Sequence, residues 1–191
     1  MVVGMAPIPK LTTAAVVDQA VTIVDDLGFD ALSISAVAAD LEVAPSALYT
    51  YCQGLDGMRN MVAIAATHNL TVDVRNAATG AFGDVALKAI GQAYRNFALR
   101  HPGQFASTLR PPPADNGDFV EATAALINVF VLVFTAMGLD SDESRLAARS
   151  TRSAIHGFLA LEHTSGTSTD HAEEFDHLLR ALRIGLANRE L

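Results

Sequence analysis

Histidines and a carboxylate near the C-terminus are the side chains of this sequence best suited to binding a metal ion. Imidazole and carboxylate groups are zinc ligands, and the set comprises His156, Glu162, His163, His171 and His177. The spacing disfavours a site, because His156 and His163 are seven residues apart, which is two helical turns instead of one. No Gly-x-Ser-x-Gly sequence is present to expose a catalytic serine. The sequence therefore predicts no metal, no cofactor and no enzymatic activity.

Hydroxyl groups form a second set of reactive side chains, and they are concentrated between residues 33 and 51. The set comprises Ser33, Ser35, Ser46, Tyr49, Thr50 and Tyr51. Such groups hydrogen-bond well to phosphate oxygens. Charge does not reinforce them, because the first 60 residues contain two basic and seven acidic side chains. The net charge of the chain, −8, argues against nonspecific coating of nucleic acid but leaves room for one small docking face.

The cysteine content and the N-terminus indicate a cytoplasmic protein. The single cysteine, Cys52, has no partner for an intrachain disulfide, and we interpret it as a small buried apolar side chain. The first residues lack the pattern of a secretory signal. Residues 122–139 carry no charge and approach the length of a membrane span, but Glu121 and Asp140 flank them without any Lys or Arg. We therefore expect a buried core helix and no association with a membrane.

Apolar residues recur at helical spacing along most of the chain, and no strand pattern competes. Helices are expected at about 12–27, 33–41, 46–51, 58–78, 85–100, 119–137, 142–163 and 170–187, with a short segment at 104–109. Thr12 or Thr13 is placed to cap the first helix, and Ser33 or Ser35 the second. His101 precedes a proline and is expected to end a helix and bond a nearby carbonyl. The fold class is therefore all-α, with a small N-terminal bundle and a larger C-terminal one.

The first three helices have the arrangement of a helix-turn-helix, in which the third helix lays its N-terminal end into the major groove. Particular residues occupy fixed places in these helices and turns: Gly28-Phe29, Ala31-Leu32-Ser33, Val37-Ala38, Leu41, Val43 and Ala47-Leu48-Tyr49. Through these residues, the segment 12–51 resembles the DNA-binding domain of the TetR family of transcriptional regulators. Weaker similarity to a C-terminal domain of that family occurs in RHPGQF at 100–105 and IHGFLALE at 155–162.

The resemblance implies a DNA-binding domain at 1–57 and a ligand-binding and dimerisation domain at 58–191. It implies a homodimer that binds a palindromic double-stranded DNA operator, in most cases as a repressor, and that a small-molecule effector releases. The interface would be formed by helices at about 142–163 and 170–187, which carry apolar faces of their own. The candidate interface residues are Leu146, Ile155, Phe158, Phe175, Leu178, Leu179 and Leu182.

The candidate DNA contacts include the hydroxyl set and two basic residues outside it. They are Lys10, Thr12, Ser33, Ser35, Ser46, Ala47, Tyr49, Thr50, Tyr51 and Arg59. The sequence departs from the family after the recognition helix, where an aromatic residue, a small polar residue and a lysine are usual. Those positions are Cys52, Gly54 and Leu55. An alternative therefore stays open: a dimer of this fold that has weakened or lost operator binding and acts as a ligand- or partner-binding module.

The candidate effector site lies in the C-terminal domain and is mostly apolar, as small-molecule sites usually are. Its candidate residues are Tyr94, Phe97, Phe105, Phe130, Phe134 and His156. An apolar effector is expected. Each aromatic residue, taken alone, is also compatible with a role in the core. His156 is equally compatible with a position in the dimer interface.

Overall fold

A computed structural model describes residues 11–109, 116–164 and 171–187, and regular structure in these ranges is entirely helical. The expected all-α fold is confirmed. The elements are α1 (Thr13–Leu27), a 3₁₀ turn (Phe29–Ala31), α2 (Ile34–Asp40), α3 (Pro45–Leu48), α4 (Gly54–Ala78), α5 (Gly83–Arg100), α6 (Pro102–Thr108), α7 (Gly117–Ala136), α8 (Ser141–Thr164) and α9 (Ala172–Ala187).

Local capping sets the start of the first two helices. The Thr12 hydroxyl oxygen accepts a hydrogen bond from the amide of Ala15 at 3.1 Å, and Ser33 caps α2 through the amide of Ala36 at the same distance. Each bond satisfies one of the amides that a helix leaves free at its first turn. Gly28 ends α1 with φ +87°, a conformation that favours glycine.

The third helix is shorter than the sequence predicts, and the fourth begins earlier. Helix α3 ends at Leu48, and the chain continues in turns, with the Tyr51 amide bonded to the Leu48 carbonyl at 2.9 Å. Gly54, at φ +69°, redirects the chain directly into α4, four residues before the expected start at 58. The recognition segment is thus a single helical turn followed by a loop rather than two full turns.

Two apolar cores are joined by α4. Its first half contributes Met58 and Val62 to a core formed with α1, α2 and α3. Its second half contributes Leu70 and Val74 to a larger core formed with α5 to α9. One continuous helix therefore passes from the N-terminal bundle into the C-terminal bundle, across the predicted boundary at residue 57.

Helix α7 is long and apolar enough to cross a membrane by length and composition. In this fold it packs on α4 and α8 instead. Seven of its side chains are buried: Phe119, Ala122, Leu126, Val129, Phe130, Val133 and Phe134. The buried face is what a core helix of a helical bundle requires.

Candidate nucleic-acid interface and ligand site

The two helices of the helix-turn-helix, α2 and α3, pack on the N-terminal apolar core. Val37 on α2 and Leu48 on α3 are fully buried in the N-terminal core. Between the two helices Glu42 adopts φ +55°, and the amide of Val43 bonds the Ala38 carbonyl at 3.0 Å. This tight turn fixes the angle of α3, so its outer side faces solvent.

Five of the predicted DNA-contacting residues lie in the first turn of α2, on α3 and in the turn that follows α3. We define the reading surface as Ser35, Ser46, Ala47, Tyr49 and Thr50. Ala47 is half-buried and the other four are exposed. The Tyr49 side chain is 62% exposed although it is a large aromatic group, so packing does not explain its position. Methyl groups of Ala and Thr on such a surface suit thymine methyls, and the hydroxyls suit phosphates.

Two further hydroxyls have structural roles. The oxygens of Thr12 and Ser33 accept the capping bonds of α1 and α2. A hydroxyl that accepts one bond still has its hydrogen to donate, so both groups remain able to contact a phosphate oxygen.

Tyr51, Arg59 and Lys10 are placed differently from the reading surface. The Tyr51 hydroxyl donates to the Leu11 carbonyl at 2.9 Å, which ties the segment before α1 to the loop after α3. Arg59 lies 3.5 Å from Asp56 and over the ring of Phe29 at 5.9 Å, and its buried Nε has no partner among the described residues. Lys10 lies outside the described residues.

Cys52 lies behind the reading surface and is buried. Its thiol approaches the Leu48 carbonyl at 3.3 Å, and burial raises its pKa. A buried, protonated thiol is a poor nucleophile. Cys52 therefore fills space at the position where the family usually has an aromatic residue.

The predicted effector residues lie in the C-terminal core. Tyr94, Phe97, Phe105, Phe130 and Phe134 are all fully buried there. The structure brings Tyr94 and Phe105 to the ring of His156: the Tyr94 hydroxyl is 2.8 Å from Nδ1, and the two ring centroids of Phe105 and His156 are 5.3 Å apart. His156 is half-buried, so this end of the core reaches the surface.

Arg152 completes this polar group, and sequence reasoning did not include it. Burial, and then the neighbouring Arg152 guanidinium, lower the pKa of His156 to about 4. Burial raises the pKa of Tyr94 to about 12, although the nearby positive charge of Arg152 opposes the rise. Near neutral pH both side chains are therefore uncharged. The sequence signal for Arg152 is its place one helical turn before His156.

Arg95 and Glu162 form a second polar contact that sequence reasoning did not find. Arg95 reaches Glu162 with Nη2 at 2.5 Å and with Nε at 3.3 Å, in a two-pronged ion pair between α5 and α8. Both side chains are nearly buried. Glu162 is paired with Arg95, and the described residues contain no group of three or more His, Cys, Asp or Glu side chains placed to hold a metal ion.

A hydrogen-bonded network connects the two cores. His101 Nδ1 lies 2.9 Å from the Asp25 carboxylate, which also accepts a bond from the Gln104 amide at 2.7 Å. Asn69 of α4 donates to Gln104 at 2.8 Å. The sequence predicted that His101 ends a helix, and its amide does close α5, but its ring bonds a carboxylate 76 residues away instead of a nearby carbonyl.

Gly103 lies at the centre of the same contact. A Cβ atom at this position would lie 1.7 Å from the Val24 carbonyl oxygen, far inside van der Waals contact. Helices α1 and α6 therefore touch backbone to backbone. A movement of α6 in the C-terminal bundle has to move α1 of the N-terminal bundle or break this contact.

The predicted dimer residues divide between core and surface. Ile155, Phe175 and Leu179 are buried within the chain itself. Phe158, Leu178 and Leu182 are half-buried, and Leu146 is 68% exposed. A cleft of about 520 Å³ runs between α8 and α9, lined by Leu139, Glu143, Leu146, Ala147, Ser150, Thr151, Leu178, Ala181, Leu182 and Gly185. The apolar surface that stays exposed on α8 and α9 is thus centred on Leu146 and this cleft.

Known proteins share both the sequence pattern and the fold. Residues 87–182 match the family model described as tetracyclin repressor-like, C-terminal domain. The uncharacterized HTH-type transcriptional regulator Rv0681 of Mycobacterium tuberculosis is 30% identical over 182 residues, which are 94% of this chain and 84% of that protein.

Solved structures agree with this grouping. BioQ with its double-stranded DNA operator has a TM-score of 0.72 at 19% identity, over 94% of this chain and 100% of that one. The transcriptional regulator FadR from Bacillus subtilis, in complex with stearoyl-CoA, has a TM-score of 0.70 at 14% identity, over 91% and 99% of the two chains. Those likenesses show the fold. With the family model and the 30% identical relative, they establish that this chain belongs to the TetR family of helix-turn-helix transcriptional regulators.

Proposed function

We propose that this chain is a cytoplasmic, ligand-responsive repressor that binds a palindromic operator as a homodimer and leaves it when a small molecule binds. The observation that carries the proposal is the solvent-facing reading surface on a helix-turn-helix that contacts the C-terminal bundle through Gly103 and Val24. The operator complex of BioQ and the stearoyl-CoA complex of FadR support both halves of the proposal for a chain of this fold.

Release would follow from the α1–α6 contact. A ligand that binds the C-terminal bundle better in one arrangement of α6 shifts the population towards that arrangement. Because α6 touches α1 without a gap at Gly103, the shift re-orients the helix-turn-helix. In a homodimer, the two reading surfaces would then no longer match the spacing of the two operator half-sites. The coupling can be no larger than the difference in ligand affinity between the two arrangements.

Uncharged groups would supply most of the contacts to DNA. Residues 11–57 contain no Lys or Arg, so hydroxyls of the reading surface and backbone amides replace the usual basic contacts. Lys10 and Arg59 are the remaining basic residues of the first 60 that could contact a phosphate. Arg59 would have to exchange its contact with Asp56 for one with a phosphate.

Selection of genomic fragments tests the operator proposal directly. The full-length protein is incubated at low salt with sheared DNA from its own genome, and bound fragments are sequenced. We expect a small set of fragments that share an inverted repeat. Recovery that simply follows the input composition would contradict sequence-specific binding.

A second candidate function is a dimer of the same fold that has lost most operator affinity and binds a ligand or a protein partner. The observation in its favour is the charge of the first 60 residues, which contain seven acidic side chains and two basic ones. Binding isotherms at moderate salt separate the two functions. The repressor prefers its best genomic fragment to a scrambled sequence of equal length, whereas the second candidate binds both equally weakly.

A further inference from the structure

Helix α8 holds a guanidinium that no acid of the described chain neutralises. The Nε of Arg152 is buried and without a hydrogen-bond partner, and no ion pair joins Arg152 to a carboxylate within ranges 11–109, 116–164 and 171–187. The side chain as a whole is half-buried, and burying part of a charged group without a partner is costly. An arginine that a fold keeps in this state is a candidate binding group.

An ion pair between α5 and α8 shows that another arginine of this bundle is neutralised. Arg95 on α5 is held by Glu162 on α8 through two hydrogen bonds at 2.5 and 3.3 Å. Arg152 lies on the same helix as Glu162 and close to Tyr94, the residue next to Arg95. Of these two arginines between α5 and α8, only Arg95 forms an ion pair with a carboxylate of the described residues.

The groups around Arg152 offer hydrogens and no negative charge. We define the Arg152 cluster as Tyr94, Arg152 and His156. The Tyr94 hydroxyl lies 2.8 Å from Nδ1 of His156, and the Arg152 guanidinium lies beside both side chains. Neutral His156 carries one ring hydrogen, which lies on Nε2 when the Tyr94 hydroxyl donates to Nδ1. In that tautomer two N–H groups of the cluster, Nε of Arg152 and Nε2 of His156, have no acceptor among the described residues.

The flank of α8 that contains the cluster is basic. Arg145, Arg149, Arg152 and His156 follow one another at intervals of four, three and four residues, so they share one side of the helix. Arg145 is paired with Asp142 at 2.7 Å, whereas Arg149 is exposed. This local excess of positive charge occurs in a chain whose net charge is −8.

The cluster has an apolar wall and an open side. The buried ring of Phe105 lies 5.3 Å from the ring of His156, between centroids. Arg152 and His156 are themselves half-buried, so solvent reaches them. Phe158 lies on the other flank of α8, where it packs on Phe175 of α9. The Arg152 flank therefore faces away from α9 and from the cleft between α8 and α9.

We propose that the Arg152 cluster binds the carboxylate of a small apolar acid, with the acid's apolar part directed towards the C-terminal core. The inference rests on the proposed function of the C-terminal bundle as the effector site and names the chemical class of the effector. Planar guanidinium groups bind carboxylates through two parallel hydrogen bonds, which suits an acid better than a neutral ligand.

Calorimetric titration of the full-length protein tests the proposal. The probes are benzoate, phenylacetate, octanoate and decanoate, each compared with its primary amide, which has a similar shape and no charge. We expect at least one acid to bind about tenfold or more tightly than its amide, because a charge-assisted hydrogen bond contributes roughly 1.5–3 kcal/mol. Equal binding of acid and amide would overturn the proposal, and so would a panel in which no acid binds.

Variants assign the binding to Arg152. Arg152→Gln is expected to weaken the best acid about tenfold or more, and Arg152→Lys, which keeps the charge but not the planar fork, to weaken it less. Arg149→Gln is the matched control on the same flank and should stay within about twofold of the wild type. Undiminished binding by Arg152→Gln refutes the assignment. Far-UV circular dichroism and thermal melts check the fold, and if Arg152→Gln does not fold, Arg152→Lys decides.

Two measurements keep this inference separate from the repressor proposal. Sedimentation of Arg152→Gln shows whether a second copy pairs Arg152: loss of a dimer in this variant would overturn the proposal. Operator binding is then assayed with and without the best acid. An acid that binds through Arg152 but leaves the operator complex intact supports this inference and contradicts ligand-induced release. If a neutral compound releases the operator and no acid binds, ligand-induced release is supported and this inference is contradicted.

Discussion

Tyr49 and His156 are single residues whose environments lead to opposite kinds of role. The Tyr49 side chain is 62% exposed, and its hydroxyl forms no hydrogen bond with another described residue. His156 is half-buried and bonded to Tyr94. A large exposed aromatic group at the end of α3 is available to a partner, whereas the protein around a partly buried imidazole sets the pKa of that imidazole.

Tyr49→Ala is expected to weaken operator binding about tenfold, since one lost phosphate or base contact is worth roughly 1–3 kcal/mol. The free energy of unfolding should change by less than about 0.5 kcal/mol, because the ring is exposed. Fluorescence anisotropy with the selected operator and thermal melts measure the two quantities. Tyr49→Phe removes only the hydroxyl and separates its contribution from that of the ring. Unchanged affinity in Tyr49→Ala would remove Tyr49 from the DNA contacts.

His156 makes stability depend on pH in a defined direction. Its folded-state pKa of about 4 lies below the unfolded value of about 6.5, so between these values the unfolded chain binds the extra proton. The free energy of unfolding contributed by His156 is therefore complete above about pH 6.5 and falls as the pH drops towards 4.

Urea titrations at pH 7 and pH 5 measure this contribution. Wild-type protein should lose about 2 kcal/mol more between these pH values than His156→Gln, which has no proton to gain. The comparison with the variant cancels the carboxylates that also titrate in this range. Parallel losses in the two proteins would show that the surroundings of His156 do not disfavour its charged form.

At the scale of secondary-structure elements, one helix contact and one exposed helix face determine how the two bundles interact with each other and with a second chain. One is the backbone contact between α1 and α6 at Gly103. The other is the exposed apolar face of α8 and α9 around Leu146. The first connects the two cores of one chain, and the second is available to a second chain.

Gly103→Ala is expected to destabilise the chain by about 1–3 kcal/mol or more, since the added methyl overlaps the Val24 carbonyl and forces α1 and α6 apart. Operator affinity should fall with it. Gly117→Ala is the control, because a Cβ there meets nothing within 4 Å. Chemical denaturation measures both variants. A Gly103→Ala protein as stable as the control would mean that α1 and α6 are not in close contact in solution.

Leu146→Glu is expected to shift the protein from dimer to monomer without unfolding it, because the side chain is 68% exposed in the single chain. A charge in an apolar interface stays unpaired there and weakens association. Leu132→Glu, at a leucine of α7 that is 70% exposed, is the matched control and should leave assembly unchanged. Sedimentation velocity distinguishes the two. A Leu146→Glu dimer as tight as the wild type would place the interface elsewhere.

At the scale of the whole molecule, the distribution of charge sets the physics of DNA binding. The chain carries −8 overall, and its basic flank on α8 lies in the C-terminal bundle, far in sequence from the reading surface. Long-range electrostatic attraction therefore contributes little to association with DNA. The proposed repressor would depend on short-range hydrogen bonds and shape.

A shallow salt dependence follows. With Lys10 and Arg59 as the only basic residues in the first 60, a dimer displaces at most about four counterions, so log K against log salt should slope no more steeply than about −4. Isotherms on the selected operator between about 50 and 200 mM salt give the slope. A markedly steeper slope would show that basic residues of the C-terminal bundle also reach the DNA.

Local physics determined most of what the sequence predicted correctly. Apolar periodicity places the helices, and hydroxyl caps at Thr12 and Ser33 set two of their starts, because these effects act within one helical turn. The same locality explains the error at α3. Its end depends on a turn stabilised by the bond from Tyr51 to Leu11, 40 residues away.

Only the tertiary structure decided which polar groups meet. Asp25 and His101 are 76 residues apart, and Tyr94 and His156 are 62 apart, so no spacing rule connects them. Arg152 does not stand out in the sequence and becomes a candidate site only because packing buries its Nε beside neutral side chains while Glu162 pairs with Arg95. The sequence by itself thus determined the helices and the family. Charge compensation, which depends on distances in space, was decided by the packing of α5 on α8.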